Sequence, residues 1–243
     1  MMKQIRRVGF GLFTTLAILA CVGHAPAVAQ ARFEVTSVKA VRPHLVNTVT
    51  ALQQRDVAKA KAAFEAYDSA WNGIEVYIAT RSRPLYQALE IELQARITKA
   101  LESPNPDMAA LLADAQAILG KYDEAISLIE KAAPLNPLYD DIARLRIVRA
   151  HLREVPPALK VGNFAKARKS FEEFDRTWDS IEDLIKAKSA DAYVAIEKGM
   201  IEIEQALMPD KPDVAKVTAL VTAVMTQYNT QLAEIVKDAR ARQ

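Results

Sequence analysis

One cysteine, three histidines and seven glycines are a small stock of site-building residues for 243 positions. A lone Cys21 excludes an intrachain disulfide, so packing alone must hold the fold. There is no glycine-rich phosphate loop, and no Ser/His/Asp or Cys/His grouping emerges from the spacing, so the chain reads as a non-enzyme. An excess of one charge is missing too: 32 basic residues stand against 30 acidic ones. Three of the bases, Lys3, Arg6 and Arg7, lie in an N-terminal leader, and without them the balance is near −1. A nucleic-acid binder needs a basic face that releases counterions from phosphates, and this composition points to none. Sustained polar–apolar alternation is absent, so no sheet is expected. The longest apolar run, VGFGLFTTLAILA, falls short of the roughly 20 residues that span a bilayer.

What is present begins with an address. MMKQIRR is a basic n-region, the apolar run follows, and Ala27-Val28-Ala29 fits the small-x-small cleavage rule. Residues 1–29 therefore read as a signal peptide, with mature residue Gln30 first and the periplasm as destination. Ile18-Leu19-Ala20-Cys21 offers a second processing site, a lipobox whose cysteine would be lipidated and tie the protein to a membrane. Beyond the leader only Gly73, Gly120, Gly162 and Gly199 remain. Alanine, leucine, lysine and glutamate dominate, which is a helix-forming composition.

The chain also repeats itself. AFEAYDSAWNGIE (63–75) returns as SFEEFDRTWDSIE (170–182), a shift of 107 residues. The same shift places His44-Leu45 on His151-Leu152, Ala51-Leu52 on Ala158-Leu159, and Tyr86 and Glu90 on Tyr193 and Glu197. The register then slips by one residue, and PDMA (106–109) aligns with PDVA (212–215). So long and ordered a match implies duplication. Each copy reads as four helices, A to D. Helix A covers about 38–54 and about 138–160, where Pro156-Pro157 must break or bend it. Helix B follows the N-cap residues Asp56 and Asn163 and reaches about 80 and 188. Its stripe of Phe64, Tyr67, Trp71, Ile74 and Ile78 has the 3-4-3-4 spacing of a bundle helix, and Phe171, Phe174, Trp178, Ile181 and Ile185 repeat it. Helix C starts near Pro84 or Ala190; helix D starts after SPNP or PDKP.

Short connections make the neighbours antiparallel. The expected fold is all-α: two tandem antiparallel four-helix-bundle-like repeats, residues 30–132 and 139–243, joined by a linker at 133–138. GKYDEAISLIEKAAPLNP (120–137) looks like half of a tetratricopeptide repeat. Such arrays recur every 34 residues or so, not every 107, so an array is not expected.

Candidate ligands follow from the repeat. Glu75 and Glu182 sit on the edge of the helix B stripe, and Glu90 and Glu197 lie four residues past the paired tyrosines of helix C. Antiparallel B and C helices would turn these carboxylates toward each other near the B–C turn. An imidazole from His44 or His151 on helix A would complete a mixed set of the kind helical bundles use for transition metals. His151 and Glu154 stand one helical turn apart, whereas the first copy has Asn47 in place of the glutamate. The plainer reading is that these carboxylates pair with lysine or arginine, that the histidines are half-buried helix residues, and that the aromatic stripe is packing.

GNFAKARKSFEEFDRTWDSIEDLI (162–185), with its aromatic-x-x-Ile-Glu core, resembles the periplasmic helical domains of bacterial iron permeases and their imelysin-like companions. Those domains are duplicated bundles in which a His-x-x-Glu metal motif has been proposed. Here only His151 and Glu154 match it. The transmembrane Arg-Glu-x-x-Glu helices of the permease are absent, so the resemblance implies a partner of such a permease. It implies iron or another divalent cation held by His44, Glu75, Glu90, His151, Glu154, Glu182 and Glu197. The alternative is a metal-free envelope interaction or structural module. A rigid spacer tethered through lipidated Cys21 is a third.

Overall fold

Short polar side chains start most of the helices. Asp56 accepts from the Lys59 N–H at 2.9 Å, Asn163 from Lys166 at 3.0 Å, Ser189 from Ala192 at 3.1 Å and Asp213 from Lys216 at 3.0 Å. Asp107 takes two N–H groups, those of Ala109 and Ala110. Each cap satisfies a donor that the first helical turn leaves free, a contribution of about 1 kcal/mol.

The computed structural model describes residues 32–243; the expected signal peptide and cleavage site, and Cys21, lie outside the described residues. The first repeat contains α1 (Phe33–Gln53), α2 (Val57–Arg81), α3 (Arg83–Tyr86), a π-helical segment (Gln87–Gln94), α4 (Ala95–Glu102) and α5 (Met108–Lys131). The second contains α6 (Leu138–Arg153), α7 (Val155–Lys160), α8 (Phe164–Trp178), α9 (Glu182–Lys188), α10 (Ala190–Leu207) and α11 (Val214–Ala241). No strand occurs among the described residues, and the fold is all-α.

Trp71 and Trp178 have matching surroundings. Each indole stacks on the helix C tyrosine, Trp71 on Tyr86 at 6.3 Å and 20° and Trp178 on Tyr193 at 6.4 Å and 13°. Each also meets a helix D tyrosine at a tilt, Tyr122 at 6.4 Å or Tyr228 at 6.1 Å. Those tyrosines are buried, and their hydroxyls donate to helix A carbonyls: Tyr122 to Val38 at 2.7 Å and Tyr228 to Leu145 at 2.6 Å. The two pairs of partners are equivalent under the repeat. Tyr122→Phe and Tyr228→Phe should therefore cost the same, about 0.5–1.5 kcal/mol each, because each loses one buried hydrogen bond while the carbonyl stays within its helical ladder. Urea unfolding of the two variants checks that equality.

The copies differ where local chemistry differs. The A–B turn needs a left-handed residue, and Gly162 (φ 71°) supplies it in the second copy where the first uses Arg55 (φ 58°). Helix A of the second copy breaks at Glu154, ahead of Pro156 and Pro157. Helix B, expected to run unbroken to about 188, is interrupted at 179–181. There Ser180 donates both its hydroxyl, at 2.6 Å, and its N–H, at 3.2 Å, to the Thr177 carbonyl, tightening the chain out of the α-helical ladder.

The π segment has its own cause. Buried Leu89 and Leu93 match Ile196 and Met200 at a shift of 107, while Ile97 and Leu101 match Ile203 and Leu207 at 106. The first copy thus holds one extra residue in this rod, and a π turn, which bonds i to i+5, absorbs it.

The helices share one continuous core, and residues 32–243 belong to one compact unit. α1 packs on α2 and α5, while α6 packs on α2, α8 and α11, so α6 serves both repeats. Gly73 permits the α2–α6 approach: a Cβ there would lie 2.3 Å from Ile147 Cγ1 and 3.4 Å from the Ala143 carbonyl.

Candidate functional site

The B and C helices bring their glutamates to the same end of each aromatic cluster. In the first repeat burial raises the Glu90 carboxyl above its ordinary value, and the Glu75 and Asp68 charges push the same way. Trp71 Nε1 approaches Glu90 closely enough to oppose that rise, yet Nε1 and Glu90 Oε2 are both buried without a hydrogen-bond partner. Burial also raises Asp68, which accepts from the Gln94 amide. Gln94 belongs to the π segment and is itself buried, so the rod that carries the extra residue meets a helix B carboxylate there.

Glu75 differs from Glu90 in having a cation. Arg146 of α6 reaches it at 2.6 Å, with both side chains about 20% exposed. Burial raises the Glu75 carboxyl, and Arg146, Arg149 and Arg153 pull it back. Arg153 also donates to Asn72 at 2.5 Å. The first acid pair therefore faces a row of α6 arginines contributed by the other repeat.

The second repeat rebuilds the pair without that row. Trp178 Nε1 donates to Glu197. Partial desolvation, then the Glu197 and Glu182 charges, raise the Tyr193 phenol, which places both carboxylates around one ring. No lysine or arginine lies within 4.0 Å of Glu182 or Glu197 among the described residues. Lys186 lies over the same ring, 5.0 Å from the Tyr193 centroid. Two carboxylates and a phenol form an all-oxygen donor set, suited to hard cations.

No protein-family model, curated protein or solved structure matches the chain.

The remaining candidate residues lie elsewhere. Glu154 accepts from Ser69 at 3.2 Å and Ser170 at 3.3 Å, with Lys166 at 4.0 Å. It lines a cleft of about 610 Å³ between the repeats, together with Asp68, Arg153 and Lys166. His151 lines an adjoining cavity of about 420 Å³ with Glu65 and Glu154. His44 is half-buried on α1, where its carbonyl accepts from Thr48. Among the described residues no group of three or more His, Cys, Asp or Glu side chains converges as a metal set. Glu75 acts on Glu90, Glu182 and Glu197 both act on the Tyr193 ring, and neither imidazole joins these carboxylates in a group of three among the described residues.

Sequence reasoning missed Gln94 and the α6 arginines. The signal for the latter was available: Arg146, Arg149 and Arg153 share one helix face at i, i+3 and i+7.

Proposed function

We propose that this is an exported, non-enzymatic protein that binds and hands on iron or another divalent cation as cargo, using the paired B-helix and C-helix glutamates. The observation that supports it is Glu90: a carboxylate driven toward its neutral form by burial and by Glu75, with one oxygen buried and unpartnered. A bound cation would relieve both penalties. The second pair, Glu182 and Glu197 beside Tyr193, supplies the same oxygen donors without a competing basic side chain within 4.0 Å among the described residues. In this reading Arg146 is the internal counterion of the first site, and the second site binds more tightly. An envelope permease of the iron-uptake kind is the partner that would receive the cargo.

The test is metal analysis of the mature protein after loading with ferrous iron or zinc and desalting. Wild type should retain metal, and Glu197→Gln should remove more of it than Glu90→Gln. Glutamine keeps the hydrogen-bond acceptor for the indole while deleting the charge, so helicity should not change. Equal retention by the Glu90→Gln/Glu197→Gln double variant would rule these carboxylates out.

A second reading, a metal-free interaction module, rests on the outer face of the helix C rod. Val194, Ile201 and Met208 stand seven residues apart and are 61%, 55% and 69% exposed. Such a stripe is the seam along which another helix docks.

A further inference from the structure

The groove between α6 and α11, about 470 Å³ in volume, is lined by Arg146, Arg149, Lys237 and Arg240, and no carboxylate lines it. Its floor is apolar, formed by Leu232, Ala233 and Val236. The first repeat provides an internal control for this place in the fold. There helix A presents Lys39 and Arg42, the equivalents of Arg146 and Arg149. Helix D answers with two acids: Lys39 pairs with Glu130 at 2.5 Å, and Arg42 holds Asp123 through two bonds of 2.6 and 2.9 Å. The register is fixed by the tyrosine bonds, Tyr122 to Val38 and Tyr228 to Leu145. In that register Asp123 corresponds to Asn229 and Glu130 to Val236.

The second repeat therefore has both cations of helix A but neutral residues where the first has their acidic partners. Where the first copy has Pro134 the second has a further cation, Arg240. Arg149 donates to the Asn229 side chain at 2.9 Å in place of a carboxylate. It has no carboxylate within 4.0 Å among the described residues. Arg146 is shared with Glu75 on the far side of α6, and Lys237 has only an exposed contact with Glu234 at 3.7 Å. Burial, followed by repulsion from Arg146 and Arg153, lowers the Arg149 guanidinium, as expected of a cation short of counter-charge.

We infer that the α6–α11 groove is a binding site for a small multivalent oxyanion, which takes the places that Asp123 and Glu130 occupy in the first repeat. Arg149 and Arg240 offer guanidinium forks to phosphate or carboxylate oxygens, Lys237 adds a point charge, and a volume of about 470 Å³ suits a compact molecule. The inference does not depend on the cation reading, because none of the proposed carboxylate ligands lines this groove.

Titration calorimetry of the mature chain with pyrophosphate, and separately with citrate, tests it at constant ionic strength. Saturable heat from either anion supports the site, and which anion gives it identifies the phosphate or the carboxylate class. Lys237→Gln with Arg240→Gln, both at exposed positions, should weaken binding about tenfold or more. Asn229→Asp with Val236→Glu rebuilds the first repeat's ion pairs and should abolish binding while leaving circular dichroism unchanged. Asn229→Asp alone, at an exposed position, should likewise weaken binding and replaces the double variant if that one does not fold. No heat from either anion, or equal heat from wild type and these variants, would overturn the inference.

Discussion

Glu34→Ala should be the most damaging single carboxylate substitution in the chain, destabilising it by about 3–5 kcal/mol. Glu34 is 3% exposed and lies in the first turn of α1. Arg32 donates to one of its oxygens, and Arg81, at the end of α2, reaches the other at 2.5 Å. Arg32 continues to the Ala132 carbonyl at 2.8 Å and the Ile129 carbonyl at 2.9 Å, and Arg81 to the Ala133 carbonyl at 3.0 Å. One carboxylate thus fixes the start of α1, the end of α2 and the end of α5. Removing it leaves the nearly buried Arg81 uncompensated, and the cost comes chiefly from that stranded charge. Guanidinium unfolding should show the loss, and thermal unfolding a midpoint lower by about 6–20 °C for a chain of this size. Replacing Glu34 and Arg81 together by alanine should cost less than the sum of the two single changes. Additive losses would show that the pair acts separately.

Truncation of either indole comes next. Trp71→Ala and Trp178→Ala each empty the centre of an aromatic cluster, at a cost of about 3–5 kcal/mol. The phenylalanine variants should then separate the two sites. Trp178 Nε1 donates to Glu197, so Trp178→Phe removes a charge-assisted bond worth about 1.5–3 kcal/mol as well as ring area. Trp71 Nε1 lies near Glu90 but makes no well-formed hydrogen bond, so Trp71→Phe removes ring area and only a weak contact with that carboxylate. Urea unfolding should rank Trp178→Phe as the costlier by more than about 1 kcal/mol. The reverse order would mean that the Glu197 bond carries little energy.

The all-α class and the helix starts were legible because they rest on local rules. Apolar spacing marked Phe64, Tyr67, Trp71 and Ile74 as one face, and all four are buried. Asp56 and Asn163 marked the helix starts, and Pro156 and Pro157 the break in helix A. Readings that needed contacts between distant segments went less far. The facing of Glu75 and Glu90 followed from antiparallel neighbours. Nothing local in the sequence placed Arg146 beside Glu75, because that contact crosses from one repeat to the other. The histidines illustrate the same limit. Their shared repeat position suggested a shared role, but periodicity assigns a residue to a helix and not to a neighbour, and neither imidazole joins the glutamates in a group of three among the described residues. The interruption at 179–181 is subtler still: it is marked by a serine hydroxyl on the Thr177 carbonyl and a run of i to i+3 backbone bonds that apolar spacing does not register.

The π segment lets the two matching segments of the chain differ in length by one residue. A wide turn that swallows a surplus residue keeps everything beyond it in phase, so Tyr122 still finds the carbonyl that Tyr228 finds in a copy one residue shorter. The rod between Glu90 and Pro106 is therefore a slack adjuster: length can change there without the error spreading to the next helix. Excising Gln94 would let the rod relax into an ordinary spiral like α10, and Asp68 would give up its amide donor in exchange.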